Sequence, residues 1–264
     1  MTLFYVPNLR SGTVLSEEES LHAVKVLRLQ NGDEIAVVDG AGGYYKAKIT
    51  NPHPKHCVFE ITESLQEYGK RNYKLHIAIA PTKNIERLEW FIEKATEIGV
   101  DEITPIICRF SERKIVKAER LEKIIVSAAK QSVKAYFPRL NPQCTFDELI
   151  KNTAATQKFI AHCYTAPQPS ETCPACGKER EIAFGEEIKK NQVNIYNKCL
   201  LKNELNLCSN VLILIGPEGD FSKDEVEKAI KNGFIPVSLG ESRLRTETAG
   251  VMACATVAIT NNTL

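Results

Sequence analysis

The sequence "VLILIGPEGDFSKDEVEKAI", residues 211–230, joins a buried strand to a helix through a tight turn. Its leading run of apolar residues is typical of a strand that is covered on both faces, as in a parallel sheet. Ser222 and Glu225 have the S-x-x-E spacing of a capping box, which fixes where a helix begins. Phe221 and Val226 occupy the two positions of a hydrophobic staple around the same helix start. The stretch therefore predicts a strand, a turn across its carboxyl end and a helix that begins after Ser222.

The turn between the strand and the helix reads "GPEG" and occupies residues 216–219. Pro217 presets φ for a turn, and the two glycines allow a ligand to approach bare backbone. Ligands of open α/β sheets bind at the carboxyl ends of the strands, which is where this turn lies. The turn lacks the G-x-G-x-x-G spacing of dinucleotide sites and the Lys-Ser/Thr of phosphate loops. A nucleoside-like ligand is therefore compatible with it, and the alternative is an ordinary tight turn without a ligand.

Strands and helices alternate through most of the chain beyond residue 70. Apolar residues fall on one helical face over residues 85–98 and again over 121–129. The strand candidates are residues 74–80, 102–108, 158–163, 211–215 and 235–239. This alternation, with nearly continuous apolar strands, predicts an α/β domain with a parallel sheet over residues 71–264. A polar, Cys-containing insertion interrupts the pattern at about residues 164–209.

Residues 1–70 have a different texture, with short alternating runs separated by Gly-rich turns. Residues 33–50 are typical of a β-hairpin, and residues 56–62 of a further strand. Several short strands at this spacing predict a small β-barrel domain. The polar residues 67–73 are predicted to link it to the α/β domain.

The composition excludes several classes of protein. The chain has 264 residues, 43% of them apolar, which is enough for a sizeable core, and its net charge of +1 indicates no particular partner. The first residues show no signal peptide, and no stretch reaches the roughly 18 apolar residues that a membrane span needs. Nine scattered cysteines favour reduced thiols over a disulfide framework. These features predict a cytoplasmic protein that does not associate with membranes.

A second unusual stretch, "SLGESRLRTETAGVMACATVAIT", covers residues 238–260. A strand ends at Gly240, a loop dense in Arg, Glu and Thr follows, and a helix rich in small residues comes next. Small residues on a helix permit the close approach of another backbone, here that of a partner subunit. Taken alone, Arg243, Arg245 and Glu247 are also compatible with a solvated loop, whose ion pairs contribute little to stability.

Together, "LIGPEGDFSKDE" and "LGESRLRTETAG" closely resemble the family of ribosomal RNA uridine-N3 methyltransferases known as RsmE, within the SPOUT superfamily. The resemblance extends over the whole chain. "HAVKVLRLQNGDEI" (22–35) is similar to that family's N-terminal PUA-like barrel, and "APTKNIERLEWFIEKATEIGVDEITPI" (80–106) to its first strand–helix–strand unit. "AAKQSVKAYFPRL" (128–140) is similar to its Gln-Ser helix end. Matching blocks in the right order along the whole chain are hard to obtain by chance.

The resemblance implies a fold, a cofactor and a reaction. The fold is a PUA-like β-barrel that binds RNA, followed by an α/β domain with a deep trefoil knot, which sequence rules would not predict because knots are rare. The cofactor is S-adenosylmethionine, held mostly by backbone groups. The implied cofactor residues are Ile215, Gly216, Gly219, Leu239, Gly240, Leu244 and Thr246. The reaction is methylation of N3 of a specific uridine in the decoding region of 16S rRNA, within the small ribosomal subunit, by a homodimer that forms through the C-terminal helix.

Two residues of the second loop are predicted to carry the chemistry. Transfer to N3 of uracil requires loss of the N3 proton, so a cation beside O2 or O4 would stabilise the developing anion. Arg245 is the predicted cation, and Glu247 is predicted to orient it or to handle the proton. The chain departs from the family pattern at Ser242, where the family often has an Arg. Arg243, at the next position, is a candidate to replace that Arg.

Two basic groups are predicted to contact RNA. His22, Lys25 and Arg28 recur every three residues in the barrel motif, with a solvated face as the alternative. Residues 109–139 hold nine Lys and Arg against three Glu, and a basic cluster on a nearly neutral chain suggests phosphate contacts. The contacts predicted within that cluster are Arg113, Lys114, Lys130 and Lys134.

Cys173 and Cys176 have the spacing of half a zinc ribbon, but a second C-x-x-C is absent from the sequence. We therefore predict no metal site, with a Cys-rich insertion as the main interpretation. Two functional alternatives stay open: a ribose 2′-O-methyltransferase on the same fold, and a non-catalytic RNA-binding protein with a relic cofactor site. The complete GPEG and R-T-E-T-A loops argue against a relic.

Overall fold

The computed structural model describes residues 2–7, 9, 12–165 and 195–262, in which two separate β-sheets form. The first sheet has four strands in the order β1-β2-β3-β4. β1 pairs with β2 in parallel, whereas the other two pairs are antiparallel. Its elements are β1 (Leu3–Tyr5), α1 (Glu17–Leu21), a π-helical turn (His22–Val26), β2 (Glu34–Val38), β3 (Tyr44–Asn51) and β4 (Val58–Leu65). The predicted hairpin of residues 33–50 is thereby confirmed.

The first sheet encloses a small core of its own. Phe4, Ile35 and Phe59 are buried in this core. Val14 pairs with Val58 along the outer edge of β4. Because β1 forms the opposite edge, the segment between β1 and Val14 brings the two edges of the sheet towards each other, as in a partly closed barrel.

The second sheet is parallel throughout, as the alternation of strands and helices predicts. Its order is β10-β12-β9-β11-β5-β6-β7, and β8 also pairs with β6. The strands are β5 (Lys74–Ile79), β6 (Glu102–Ile107), β7 (Arg139–Leu140), β8 (Cys144–Thr145), β9 (Gln157–Ala161), β10 (Cys199–Leu200), β11 (Asn210–Ile215) and β12 (Ile235–Ser238). All five strand candidates of the sequence occur in this sheet. The strand of residues 211–215 lies between β9 and β5, which explains its uninterrupted apolar run.

Helices cover both faces of the second sheet. Along β11, Val211, Ile213 and Ile215 face one apolar core, while Leu212 and Leu214 face another. The first core also holds residues of α2 (Ile85–Ile98), α3 (Ala118–Gln131) and α7 (Thr246–Asn262), and the second holds residues of α4 (Phe146–Asn152) and α6 (Lys223–Lys231). A short helix, α5 (Leu201–Glu204), contacts α7. The trefoil knot stays a prediction.

The start of α6 follows its sequence signal closely. The capping box at α6 is complete, because Ser222 Oγ accepts from the Glu225 amide at 3.3 Å and Glu225 Oε2 accepts from the Ser222 amide at 2.8 Å. The small residues of α7 pack against α2 of the same chain: a Cβ at Gly250 would lie 2.5 Å from the ring of Phe91. Gly250 therefore has a packing role within one subunit, and the approach of a partner subunit to α7 stays a prediction.

The predicted insertion at 164–209 is only partly described. Its last part contains an ordered edge strand, β10, which pairs with β12, and the helix α5. This part is therefore integral to the sheet, which its polar sequence did not indicate. Cys173 and Cys176 lie outside the described residues.

Candidate functional site

Two adjoining cavities lie at the carboxyl edge of the second sheet, where β9, β11 and β12 end. The first, of about 320 Å³, lies between the turn that follows β11 and the segment before α7. The second, of about 630 Å³, extends along the loop after β12 to the residues that follow β9. Cys163, Arg243 and Leu244 line both cavities, so the two form one continuous site.

Six of the seven predicted cofactor residues line these cavities. Ile215, Gly216, Leu244 and Thr246 line the first, and Leu239, Gly240 and again Leu244 line the second. The seventh, Gly219, lines neither. A Cβ at Gly219 would lie 3.0 Å from Cβ of Phe110. A larger residue at this position would therefore crowd Phe110, which explains why the turn has a glycine here.

Hydrogen bonds fix the two loops to each other and to the sheet. Thr246 Oγ1 donates to the carbonyl of Gly216 at 3.0 Å, which joins the start of α7 to the turn. Asp220, at a φ of +64°, accepts from the Cys163 amide at 2.8 Å. Glu218 Oε1 accepts from the Lys83 amide at 2.9 Å. The turn is therefore rigid, with each carboxylate held in place by a backbone donor.

The loop after β12 presents bare backbone to the cavities. The amides of residues 241–245 donate to no acceptor within the described ranges, whereas the amide of Gly240 donates to Ser238 Oγ at 3.3 Å. Gly240 has a φ of +142°, a conformation that favours glycine. Leu239 and Leu244 add apolar surface. Free amides beside apolar side chains suit a ligand that is flat, largely uncharged and rich in acceptors.

The arginines of this loop extend into solvent. Arg245 is exposed at the first cavity, and its guanidinium has no hydrogen-bond or ion-pair partner among the described residues. Arg243 is also exposed and lines both cavities, whereas Ser242 lines the second. Both arginines are therefore free to contact a ligand that enters the site.

Glu247 lies apart from Arg245. Its side chain is buried in the first turn of α7, and Oε1 lies 3.9 Å from Nε of Arg87 on α2. The other oxygen, Oε2, is buried without a hydrogen-bond partner within the part of the chain that the structure describes. Glu247 therefore links α7 to α2 through Arg87, a residue that the sequence did not single out. A carboxylate and a guanidinium far apart in sequence carry no local signal of pairing.

The residues after β9 are a second feature that the sequence did not assign to this site. His162 is only 5% exposed, and its Nδ1 accepts from the Tyr164 amide at 3.2 Å. Burial, and secondly the charge of Lys198, lowers its pKa to about 4, although Asp220 acts in the opposite direction. His162 is therefore a neutral ring at the wall of the second cavity.

The predicted RNA contacts divide into two groups. His22, Lys25 and Arg28 are exposed around the π-helical turn of the first sheet, as is Lys114 in the second domain. Lys130 Nζ instead lies 2.5 Å from Glu19 Oε1, and burial lowers the pKa of Lys134. Arg113 donates to the carbonyls of Thr82 and Lys83 at 3.1 and 2.8 Å. Lys130 in α3 thus contacts Glu19 in α1, next to the first sheet. A count of local charges does not indicate this contact.

No group of three or more His, Cys, Asp and Glu within the described ranges could hold a metal ion. None of the described helices is long and apolar enough to cross a membrane.

The chain has a small β-domain with exposed basic residues, followed by a parallel α/β domain with a candidate ligand site at its carboxyl edge. These features are typical of two-domain proteins that bind a ligand. Residues 69–258 match the family model described as RNA methyltransferase domain, and residues 15–62 match that of the RNA methyltransferase PUA domain. The chain belongs to this RNA methyltransferase family, and its N-terminal sheet is a PUA-like domain.

Individual relatives agree with this family. The crystal structure of a probable rRNA-methyltransferase from Porphyromonas gingivalis is 38% identical, with a TM-score of 0.83 over 99% of this chain and 98% of that one. Ribosomal RNA small subunit methyltransferase E of Synechocystis is 28% identical over 93% of this chain and 72% of its own length. The same enzyme from Neisseria gonorrhoeae, solved bound to S-adenosyl methionine, is 25% identical, with a TM-score of 0.75 over 98% and 97% of the two chains.

Proposed function

We propose that this protein transfers a methyl group from S-adenosylmethionine to N3 of a specific uridine in the decoding region of 16S rRNA. The observation that carries the proposal is the cavity of bare backbone at the carboxyl edge, with Arg245 at its wall and no partner for its guanidinium among the described residues. The relatives named for methylation of small-subunit RNA, over most of their length, support the RNA substrate. Choice of the uracil ring over a ribose hydroxyl rests on the resemblance of the two loops.

The residues of the site fit this cofactor. An adenine ring is flat and uncharged, and it is matched by the free amides of residues 241–245 and the apolar Leu239 and Leu244. A cationic sulfonium is matched by the carboxylates of Glu218 and Asp220 at the first cavity. The seven residues named from the sequence remain the proposed cofactor site, with Gly219 acting through the packing of the turn rather than by contact.

Arg245 is the proposed catalytic residue. The cofactor supplies a methyl group that is already activated by the sulfonium. N3 of uracil would lose its proton to solvent water and bond to the methyl carbon, and the carbon–sulfur electron pair would stay on sulfur as the neutral thioether leaves. The exposed guanidinium of Arg245 would lie beside O2 or O4 and stabilise the anion that deprotonation creates. Glu247, bound to Arg87, orients the first turn of α7 and with it the backbone of Arg245.

The rest of the molecule is proposed to deliver the RNA. Residues 1–70 form the RNA-binding domain, and His22, Lys25 and Arg28 contact phosphates. Of the second basic group, Lys114 and Arg113 lie near the site, whereas Lys130 and Lys134 are proposed to act by holding the two domains in one orientation. The assembled small ribosomal subunit in the cytoplasm is the proposed substrate.

A homodimer is proposed on the surface of α7. Met252 and Ile259 lie two turns apart on this helix and are 42% and 67% exposed, which gives α7 an apolar outer stripe beside the site. A second copy of the chain would cover this stripe. Light scattering on the purified protein tests this state, and a fully active monomer would contradict it.

The reaction is tested by nucleoside analysis of small-subunit RNA after incubation of unmethylated subunits with protein and cofactor. We expect N3-methyluridine. Ribose-methylated nucleosides would identify the related enzyme class, and unmodified RNA despite tight cofactor binding would indicate an RNA-binding protein.

A further inference from the structure

An exposed aromatic ring lies next to the turn of the candidate site. Phe110 follows β6, is 46% exposed, and contacts Gly219 through its Cβ. The same turn contributes Gly216, Pro217 and Glu218 to the cavity wall. A single exposed apolar side chain is ordinary on a protein surface, so its position alone carries no function.

The backbone around Phe110 is held rigidly. The Cys108 amide donates to Ser111 Oγ at 2.9 Å, and the Ser111 amide donates back to the Cys108 carbonyl at 3.1 Å. Between them, the Arg109 amide donates at 2.8 Å to Glu225, the carboxylate of the α6 capping box. The backbone that carries the ring is therefore held in place next to the turn before any partner binds, which lowers the entropy cost of binding.

Basic residues lie next to this ring, together with the carboxylates of Glu218 and Asp220 on either side of Gly219. Residues 109–117 contain four basic residues and one acidic residue, Glu112. The guanidinium carbon of Arg109 lies 5.8 Å from the centre of the Phe110 ring. Arg113 contacts only carbonyls, so no carboxylate neutralises it within the described residues. The ion pairs Arg109–Asp224 and Lys83–Glu112 are solvent-exposed and therefore weak and replaceable by phosphates.

We propose that Phe110 is a stacking platform for an unpaired base of the RNA substrate, with the phosphates beside that base bound by residues 109–117. The inference rests on the proposed function for the identity of the RNA. Single-stranded RNA has two features that match this surface. Each base has a flat face that can stack on the ring, and each nucleotide has a negatively charged phosphate that basic residues can bind.

The test compares Phe110→Ala and Phe110→Trp with Leu207→Ala, an exposed apolar residue near the opposite edge of the sheet. Phe110→Ala should weaken binding of unmethylated small-subunit RNA about tenfold, in the range found for one stacked base. The KM for RNA should rise by a similar factor at nearly unchanged kcat. Cofactor affinity by calorimetry and the salt dependence of RNA binding should stay as in the wild type, because the ring carries no charge. Phe110→Trp should retain binding, and Leu207→Ala should change nothing.

The possible outcomes separate this inference from the proposed function. If the wild type forms N3-methyluridine and Phe110→Ala binds RNA equally well, the platform is wrong and the function stands. If the wild type binds but does not modify RNA and Phe110→Ala weakens binding, the platform stands and the function fails. If Phe110→Ala instead changes the oligomeric state, the surface is a subunit interface. If the wild type binds no RNA, both are overturned.

Discussion

The second sheet has a cavity at each of its edges, and the two cavities differ in what their polar groups contact. At the amino edge, a cavity of about 520 Å³ is lined by His76, Thr104 and Asn141. Thr104 Oγ1 lies 2.7 Å from His76 Nε2 and accepts from Asn141 Nδ2 at 2.9 Å. At the carboxyl edge, the amides of residues 241–245 and the guanidinium of Arg245 have no such partners among the described residues.

The difference shows that the contacts of the polar groups in a cavity, and not the presence of a cavity alone, indicate a functional site. Polar groups that hydrogen-bond one another stabilise the fold and need no ligand. Polar groups without partners have a free energy to gain from a ligand that supplies acceptors or charge. The carboxyl edge is therefore the proposed site, and variants at the two edges should affect different properties.

Gly216→Val should have the largest effect and abolish cofactor binding. A Cβ at this position would lie 3.1 Å from both the amide nitrogen and the ring of Phe221, so the turn would have to move. Calorimetry with S-adenosylmethionine measures the loss. Thr104→Val, a buried substitution at the amino edge, is the control and should keep cofactor affinity. Equal loss in both variants would mean that the two edges do not differ.

Arg245→Ala should lower kcat for methyl transfer by about a hundredfold or more, the usual scale for one charge-stabilising donor. Cofactor affinity should stay nearly unchanged, because backbone amides are proposed to hold the cofactor. Single-turnover methylation of small subunits and calorimetry measure the two quantities. Arg139→Ala, which removes an exposed arginine at the amino edge, is the matched control. Full activity of Arg245→Ala would show that Arg245 is only a solvated residue.

The two edges should also differ in acid stability. His162 has a pKa of about 4, below its ordinary 6.5, because it is buried. The unfolded chain therefore binds a proton at higher pH than the folded one, and the free energy of unfolding should fall as the pH drops from about 6.5 to about 4, by about 3 kcal/mol for this group. In the variant His162→Gln, the free energy of unfolding, measured by urea titration, should depend less steeply on pH.

His76 provides the comparison for that measurement. Burial lowers its pKa too, with Glu102 opposing, but His76 contacts Thr104, whereas Nε2 of His162 has no partner within the described ranges. We expect His76→Gln to reduce the pH dependence of the free energy of unfolding less than His162→Gln does. Identical slopes for both variants and the wild type would exclude His162 as the source.

Asn141→Ala should have the smallest effect. It removes donors to Thr104 and to Glu102, the latter at 3.1 Å, while His76 still contacts Thr104. The expected cost is about 1 kcal/mol of unfolding free energy, measured in urea, at unchanged methyl transfer. A large loss of activity would instead make the amino edge part of the function.

Much of the fold could be predicted because its signals are local. The apolar strand 211–215, the capping box at Ser222 and the hairpin of residues 33–50 depend on neighbours within a few residues, and all three are present. Two features could not be predicted in this way. The edge strand β10 consists of two residues, and both are exposed. The sequence therefore contains no hydrophobic pattern that would predict its pairing with β12. The packing of Gly250 against Phe91 joins residues far apart in the sequence.

The sequence by itself determined the family, through the two loop motifs, and six of the seven cofactor residues that it predicts line cavities at one edge of the sheet. Only the tertiary structure decided what the charged and glycine residues do. Lys130 contacts Glu19, Glu247 contacts Arg87, and Gly219 makes room for Phe110. The reason is that a motif fixes local backbone shape, whereas the partner of a side chain is chosen by long-range packing, which brings together residues with no pattern in common.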